Sequence, residues 1–150
     1  MVSIRPAGPA DVPALESIAR AAYLPYVPRI GHPPEPVGAD YGAAVSRGEA
    51  WLACDDSEPL GLIVLIPKPG HLLLENVAVI PSAQGRGIGT RLVDFAEYRA
   101  RELGMPEIRL YTNVAMTENL AYYARRGYSE THRAEERGFS RVFFSRRLDG

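Results

Sequence analysis

The stretch of sequence that decides the fold is residues 74–91, which read LENVAVIPSAQGRGIGTR. Together with the residues just before it, the first part predicts a strand over 71–80 that is apolar on both faces, which is typical of a central strand. A turn from Pro81 carries glycines at positions 85, 87 and 89, and a long helix then runs to about Leu103, where Gly104 ends it. The predicted inner face of this helix consists of Ile88, Leu92, Phe95, Ala96, Arg99 and Leu103.

The glycine turn suits the binding of a phosphate group. Glycine lets backbone N–H groups approach a ligand closely, and the first turn of a helix offers unpaired N–H donors and a partial positive charge. Arg86 adds a cation at the same place. The alternative is that the glycines only allow a tight connection between strand and helix. No Gly-Lys-Ser/Thr follows and the third Rossmann glycine is missing, so an ATP-hydrolysing P-loop and a dinucleotide fold are both disfavoured.

Before this stretch the chain alternates helices and strands. A strand over residues 2–5 is followed by a helix that Asp11 can cap, with Pro13 in its first turn. Prolines then forbid a continuous helix from Tyr23 to Gly38. A short helix over 40–47 and a hairpin of two strands, 50–54 and 60–66, come next. The core face of the first helix is predicted to contain Val12, Leu15, Ile18, Ala19 and Ala22.

After the long helix the pattern predicts a strand over 107–112, a helix over 118–126 capped by Thr117, and two strands over 128–133 and 139–147. No repeat or interdomain linker interrupts the chain. We therefore expect one domain over residues 1–150, with an α/β (α+β) fold whose sheet is mostly antiparallel early and crosses over later.

Composition excludes several classes of partner and site. Seventeen Lys and Arg against eighteen Asp and Glu give a formal net charge of -1, which argues against nucleic acid as the main partner. The single cysteine, Cys54, excludes an internal disulfide and a cysteine-built metal site. The longest apolar run is too short to span a bilayer, and the N-terminus lacks the apolar stretch of a signal peptide. We expect a cytoplasmic protein without a membrane partner.

Three motifs together resemble those of one family. Gln84-Gly85-Arg86-Gly87-Ile88-Gly89 matches the Gln/Arg-x-x-Gly-x-Gly/Ala signature of the GNAT superfamily, the acetyl-CoA-dependent N-acetyltransferases. The preceding NVAVIP (residues 76–81) resembles that family's fourth strand, and AYYARRGY (residues 121–128) resembles its tyrosine-bearing motif. The order of elements is similar from Ile4 to Leu148. The resemblance implies a GNAT-like mixed sheet of about seven strands flanked by about four helices.

The resemblance also implies roles for individual residues. The turn would hold the pyrophosphate of acetyl-CoA, and the strand before it would pair through its backbone with the pantetheine arm. Tyr123 would protonate the departing thiolate, a task for which a phenol is a chemically sensible donor; the alternative is a core aromatic residue. The implied cofactor contacts are Val77, Ala78, Val79, Gln84, Gly85, Arg86, Gly87, Ile88, Gly89 and Thr90.

One position departs from the family pattern. Family members often carry Asn seven positions before the tyrosine, where it contacts the cofactor arm, and here that position is Met116. The nearest asparagines, Asn113 and Asn119, are the candidates that could replace it, and both are included among the predicted cofactor contacts.

The attacking amine must lose a proton, so a base or a chain of waters is needed. Glu75, on the central strand, is the best-placed carboxylate, because burial there would raise its pKa; the alternative is a solvated or ion-paired strand residue. His71 competes for this role, and His32 and His132 have similar standing. The three histidines lie on separate elements without ligand spacing, so no metal site is predicted.

Acceptor specificity is expected in the first helices and the last hairpin. Aromatic residues with one carboxylate suit a small amine or an amino-acid-like acceptor, although for each residue alone packing is the favoured alternative. The candidates are Tyr23, Tyr26, Asp40, Tyr41, Tyr111 and Phe139.

These features predict an N-acetyltransferase that moves the acetyl group of acetyl-CoA directly to a primary amine of a small-molecule, peptide or protein acceptor. No base motif accompanies Cys54, which disfavours an acetyl-cysteine intermediate. Two alternatives stay open: a non-catalytic acyl-CoA-binding module, which Met116 slightly favours and the intact Tyr123 and Glu75 disfavour, and transfer of a longer acyl group. A homodimer is implied by the resemblance only.

Overall fold

A computed structural model describes residues 1–31, 33 and 35–148 of the chain. In this part of the chain, seven strands form one sheet in the order β1-β2-β3-β4-β5-β7-β6. Neighbours β4 and β5 are parallel, whereas β1–β2, β2–β3, β5–β7 and β6–β7 are antiparallel. The strands are β1 Val2–Pro6, β2 Ala50–Asp55, β3 Glu58–Lys68, β4 His71–Val79, β5 Glu107–Asn113, β6 Ser129–Glu136 and β7 Phe139–Arg147.

Among the residues that the structure describes, four α-helices of six or more residues and one single α-helical turn lie between these strands. The helices are α1 Val12–Tyr23, α2 Val27–Ile30, α3 Tyr41–Ser46, α4 Ile88–Glu102 and α5 Thr117–Arg125. The expected mixed sheet of about seven strands with about four helices is confirmed. Over the described residues no helix is both long and apolar enough to cross a membrane.

The proline-rich segment after α1 is not a featureless loop. It forms a 3-10 turn at Leu24–Tyr26, the single turn α2, and a further 3-10 turn at Glu35–Gly38. Gly31 ends α2 with a φ of 90°, a left-handed conformation that glycine adopts readily. His32 and Pro34 lie outside the described residues.

The first of two compact units consists of Met1–Leu65 and Asn76–Ala96. Its core is centred on β3, where every residue from Leu60 to Leu65 is buried. Gly61 allows the close packing there, since a Cβ at this position would lie 3.0 Å from the Ala78 carbonyl oxygen and 3.2 Å from a Leu92 methyl. A larger residue would push the helix off the strand.

The second unit consists of Ile66–Glu75 and the chain from Glu97 onward. Its parallel ladder joins Leu72, Leu73 and Leu74 of β4 to Ile108, Arg109 and Leu110 of β5. Strand β5 alternates between buried residues and outward-facing ones, as a sheet with unequal faces requires. The buried set includes Leu72, Leu74, Ile108, Leu110, Tyr123, Tyr128, Val142 and Phe144.

Two predicted helix caps were wrong. Asp11 precedes α1 but does not cap it: its carboxylate accepts the Gly8 N–H at 2.7 Å and pairs with Arg5 at 2.8 Å. Thr117 is the first residue of α5 rather than its cap, and its hydroxyl donates to Glu118. In both cases a nearby charged or acceptor group competes with the helix end for the side chain.

The inner face of α4 also differs from the expectation. Leu103 is 39% exposed and Arg99 is half-buried, whereas Val93, Glu97 and Ala100 are buried. The buried stripe follows steps of four residues from Ile88 to Ala100, and each such step advances about 40° around the helix. The stripe therefore turns toward Val93 and Glu97 and leaves Arg99 at its edge.

Candidate functional site

The turn between β4 and α4 is exposed but tied at both ends. Residues 84–87 lie at the surface, whereas Ile88, the first residue of α4, is buried. The Gln84 side chain returns to the strand, because its Nε2 donates to the carbonyl of Val79 at 3.1 Å. The turn is thereby fixed between the end of a strand and the beginning of a helix.

Two glycines give this turn its backbone shape. Gly85 and Gly87 have φ angles of 85° and 79°, in the left-handed region that other residues rarely adopt. A Cβ at either position would meet no atom within 4 Å. Glycine is therefore required by the backbone conformation and not by crowding from neighbouring atoms. The first N–H groups of the 15-residue helix α4 have no partner within the helix. Such unpaired N–H groups at the start of a helix are donors to which a phosphate group can bind.

The cation of this turn is held by a carboxylate. Arg86 Nη2 donates to Asp55 Oδ2 at 2.8 Å, and Asp55 Oδ1 accepts from the N-terminal amine of Met1 at 2.9 Å. The hydrogen bond from the amine, and then that from Arg86, lower the pKa of Asp55 below its ordinary value. The Arg86 side chain is 48% exposed, so a ligand phosphate would compete with Asp55 for its guanidinium.

Two of the predicted acceptor residues are hydrogen-bonded to Asn76. The Tyr23 hydroxyl lies 2.6 Å from Asn76 Oδ1 and 3.1 Å from the Val77 carbonyl oxygen. Asn76 Nδ2 donates to the Tyr41 hydroxyl at 2.8 Å, and that hydroxyl donates to the Pro36 carbonyl at 2.6 Å. All three side chains are buried. Sequence reasoning missed Asn76, the polar residue on an otherwise buried face of β4.

The other two predicted acceptor residues of the first unit have local partners. The Tyr26 ring lies 5.1 Å from the Arg29 guanidinium carbon, a cation–π distance. Asp40 caps α3, because its carboxylate accepts the Ala43 N–H at 3.0 Å. Acceptor binding by these residues, and by Tyr23 and Tyr41, stays a prediction.

In the second unit, Tyr123 lies on α5 within an aromatic cluster. Its side chain is 5% exposed, and its ring centroid lies 5.3 Å from Tyr122, 5.5 Å from Tyr128 and 6.1 Å from Phe144. Burial, and then the neighbouring Tyr122, raise the pKa of Tyr123, while the charge of Arg126 opposes the rise. The phenol therefore carries its proton at neutral pH, as a proton donor must.

A buried carboxylate that the sequence analysis did not single out lies next to this cluster. Glu97 of α4 accepts hydrogen bonds from Arg126, Tyr128 and Arg146. A glutamate in the buried stripe of an amphipathic helix was the available signal, but its arginine partners lie 29 and 49 residues away in sequence.

The position of the missing asparagine is filled by a buried methionine. Met116 precedes α5, and its sulfur lies 3.7 Å from the Thr112 hydroxyl and 3.9 Å from Asn119 Nδ2. Asn119 Nδ2 also lies 3.3 Å from that hydroxyl, whereas Asn113 Oδ1 accepts the Ala115 N–H at 2.9 Å. Asn119 thus shares the surroundings of Met116, while Asn113 stabilises a turn. Cofactor contacts of either residue stay predictions.

The paired strands β5 and β7 carry aromatic and charged groups on one face. Tyr111 lies 5.6 Å from Phe143 between ring centroids, and the Arg141 guanidinium lies 4.3 Å from the Tyr111 ring. Arg141 is buried and donates to Glu136. Phe139 begins β7 and is half-buried.

The two candidate bases lie on β4. Glu75 is half-buried, and so is His71, whose pKa is lowered by burial and then by the charge of Arg109. A half-buried carboxylate on the central strand fits the predicted base, and its role stays a prediction.

Each compact unit therefore contains some of the site residues predicted from the sequence. In the first, the backbone of residues 77–79, the turn over residues 84–89 and Thr90 form one continuous segment. In the second are Glu75, Tyr111, Asn113, Asn119, Tyr123 and Phe139.

Comparison with known proteins identifies the family. The sequence profile of the acetyltransferase (GNAT) family matches residues 14–128. The chain belongs to the GNAT acetyltransferase family. This GNAT chain is 32% identical over 59 residues to the aminoalkylphosphonate N-acetyltransferase of Salmonella typhimurium, covering 39% of this chain and 38% of that protein. It is 28% identical over 142 residues to the mycothiol acetyltransferase of Nocardia farcinica, covering 84% of this chain and 44% of that protein.

The GNAT chain thus spans less than half the length of these two curated relatives. A solved structure supports the fold. The PaiA N-acetyltransferase of Thermoplasma acidophilum, in complex with coenzyme A, has a TM-score of 0.83 and 18% identity, with 99% of each chain covered. The family and the fold expected from the sequence are both confirmed.

Proposed function

We propose that this protein is an N-acetyltransferase that transfers the acetyl group of acetyl-CoA to a primary amine. The observation that carries the proposal is the segment from β4 to α4: in a chain of this family, an exposed turn with two left-handed glycines opens a 15-residue helix. Acetyl-CoA would supply an acetyl group activated as a thioester. The amine nitrogen would form a bond to the acetyl carbonyl carbon, and the carbon–sulfur bond would break.

The turn would hold the pyrophosphate of the co-substrate. Backbone N–H groups of residues 84–89 would donate to the phosphate oxygens, with the Thr90 hydroxyl and Arg86 beside them. The backbone of residues 77–79 would pair with the pantetheine arm, and the strand near Val77 would polarise the acetyl carbonyl. The exposure of the turn and the open space at Gly85 and Gly87 support this assignment.

Tyr123 and Glu75 would handle the two protons of the reaction. Tyr123 would donate its phenolic proton to the departing sulfur. Its burial raises its pKa, which supports the role only in keeping the phenol protonated at neutral pH. Glu75 would accept the proton that the amine loses, directly or through water. The residues proposed to contact the acceptor are Tyr23, Tyr26, Asp40 and Tyr41 in the first unit, and Tyr111 and Phe139 in the second.

The first experiment is a thermal-shift titration with acetyl-CoA, free CoA and NAD. A ligand that binds only the folded state stabilises it by about 2.7 kcal/mol at a concentration of 100 Kd, which raises the melting temperature by several degrees. We expect both CoA species to stabilise the protein and NAD to have no effect. The absence of any shift at saturating acetyl-CoA would contradict the proposal.

The second experiment follows release of free CoA thiol with a panel of amines: polyamines, amino acids, aminoalkylphosphonates and peptides with free N-termini. Turnover with any of them supports the transferase. Stabilisation by CoA without thiol release from any amine favours the non-catalytic acyl-CoA-binding module, to which Met116 points. A parallel series with longer acyl-CoA thioesters tests acyl-chain length.

A cytoplasmic location, a homodimer and the lack of a nucleic-acid partner belong to the same proposal. The near balance of charge supports the last of these, since few cations are available to neutralise a phosphate backbone. Sedimentation of the protein with and without acetyl-CoA tests the oligomeric state.

A further inference from the structure

Glu97 is the centre of a charged cluster in the second unit, formed with Arg126, Tyr128 and Arg146. Arg126 donates two hydrogen bonds to the carboxylate, from Nε to Oε2 and from Nη2 to Oε1, each at 3.0 Å. The Tyr128 hydroxyl donates to Oε2 at 2.8 Å, and Arg146 Nη1 donates to Oε1 at 2.9 Å. One carboxylate thus holds side chains from the end of α5, the residue before β6, and β7.

The cluster is buried around its carboxylate and carries an excess positive charge. The Glu97 side chain is 7% exposed, against 16% for Arg126 and 31% for Arg146. Burial acts to raise the pKa of Glu97, but the hydrogen bonds and charges of its partners outweigh burial and lower it. Glu97 is therefore ionised at neutral pH, and two guanidinium groups surround one carboxylate. Removing the Glu97 carboxylate would leave two guanidinium groups without this buried partner, which is costly, so the geometry of the group is strongly specified.

The residues that Glu97 holds are those that fix the end of the helix bearing Tyr123. The backbone N–H groups of Arg126 and Tyr128 both donate to the Tyr123 carbonyl, at 3.1 and 3.0 Å. The Tyr128 ring packs edge-on against the Tyr123 ring at 5.5 Å. Side-chain bonds to Glu97 and backbone bonds to Tyr123 thus involve the same two residues, so a shift of the carboxylate would move the tyrosine.

We propose that Glu97 is a positioning residue for acetyl transfer, which acts by fixing Tyr123 through Arg126 and Tyr128. The inference rests on the proposed function, in which Tyr123 gives its proton to the departing sulfur. A Tyr123 hydroxyl displaced from the departing sulfur would slow proton transfer, because a displacement of about 1 Å can lower a catalytic rate about a hundredfold. The effect should fall on the chemical step and leave cofactor binding intact.

The test compares Glu97→Gln with a matched control. Glu102→Gln removes a carboxylate from the same helix, where it pairs with Arg99 at 2.7 Å at the surface. We expect E97Q to lower kcat about tenfold or more in the thiol-release assay, with the KM for acetyl-CoA unchanged within about twofold. E102Q should match the wild type. Equal kcat in E97Q and wild type, with Y123F slow, would overturn the inference and leave the proposed function standing.

A double-mutant cycle separates positioning from general loss of structure. If Glu97 acts through Tyr123, E97Q should lower kcat in the wild type and have almost no further effect in Y123F. Additive losses would show that Glu97 acts independently of Tyr123 and would contradict the inference. Should E97Q fail to fold, Tyr128→Phe gives the same cycle, because it removes one hydrogen bond to Glu97 and keeps both arginine pairs.

A spectroscopic measurement covers the case in which the protein shows no turnover. With ring-labelled tyrosine, the Tyr123 resonance is assigned by its loss in Y123F. We expect it to shift in E97Q or Y128F and to stay in place in E102Q. An unshifted Tyr123 resonance would overturn the positioning role, whereas a shift without turnover in the wild type would show that Glu97 fixes Tyr123 and would contradict the proposed transfer.

Discussion

Tyr123 shows how burial sets the chemistry of a single side chain. A phenol in water loses its proton near pH 10, and removal from water raises that value because the phenolate is the form that solvent stabilises. At Tyr123 burial is the largest effect, and Arg126 is the charge that opposes it. The residue is therefore a weak acid that keeps its proton at neutral pH.

Replacing Tyr123 with phenylalanine removes that proton and keeps the ring. We expect kcat in the thiol-release assay to fall about a hundredfold, since a positioned general acid contributes about that much or more. The KM for acetyl-CoA should change by less than about twofold. Tyr122→Phe, on the same helix and half-buried, is the matched control. An undiminished kcat in Y123F would mean that solvent or another group protonates the sulfur.

At the scale of elements, α4 begins and ends at glycines with the same backbone conformation. Gly87 precedes its first turn with a φ of 79°, and Gly104 follows its last with a φ of 72°. A Cβ at either position would meet no atom within 4 Å. Replacing either glycine with another residue should therefore cost the same backbone strain energy. The two glycines lie at opposite ends of the helix, and only Gly87 belongs to the proposed pyrophosphate turn.

This symmetry gives a test of the turn. Gly87→Ala and Gly104→Ala should each destabilise the fold by about 1–2 kcal/mol, the cost of left-handed backbone at a residue with a Cβ. Only G87A should weaken acetyl-CoA binding, by about tenfold or more, because the backbone N–H groups of the turn would change direction around residue 87. Calorimetric titration and urea unfolding measure the two effects. Equal affinities in both variants would assign the turn a purely connecting role.

Glu107, the first residue of β5, has a lowered pKa. Hydrogen bonds from Arg109 and then Ser145 lower the pKa of Glu107 from 4.5 to about 2. In the window between these values the unfolded chain binds a proton at this position and the folded chain does not. Stability should therefore fall as pH decreases from about 4.5 to about 2.

Glu107→Gln removes this contribution. The slope of unfolding free energy against pH in that window should become shallower, by about 1–2 kcal/mol in total after allowance for the half-exposed Arg109 partner. Asp11, whose pKa is also lowered to about 2 by Arg5 and the Gly8 N–H, keeps part of the slope. Urea unfolding at several pH values measures it, with the exposed Glu16→Gln as control. An unchanged slope in E107Q would contradict the assignment.

At the scale of the whole molecule, three elements contribute residues to both compact units. Strand β3 divides after Leu65, β4 divides between Glu75 and Asn76, and α4 divides between Ala96 and Glu97. Neither unit can keep these elements whole without the other. This continuity supports the prediction of one domain over residues 1–150.

We expect thermal unfolding to be a single transition in which the calorimetric and van't Hoff enthalpies agree. Saturating acetyl-CoA should raise its midpoint without splitting it. Two resolved transitions, of which the ligand shifts only one, would show that the units unfold independently and would contradict the single domain.

The sequence by itself predicted the family, the order of elements and the turn. Strand, turn and helix over residues 74–91 depend on neighbours a few positions apart: an apolar run, glycines where left-handed φ occurs, and a helix start. Most boundaries fell within a few residues, because backbone preferences are local. The assigned roles in that turn, and that of Tyr123, stay predictions.

Only the tertiary structure decided which side chains meet. The Asn76 hydrogen bonds to Tyr23 and Tyr41 join residues 53 and 35 positions apart, and Glu97 meets Arg126 across 29 positions. Periodicity placed Glu97 on a helix but could not indicate that a buried carboxylate there would find two arginines. Local sequence sets backbone conformation through short-range sterics, whereas the partner of a buried polar group depends on which distant segments the sheet brings together.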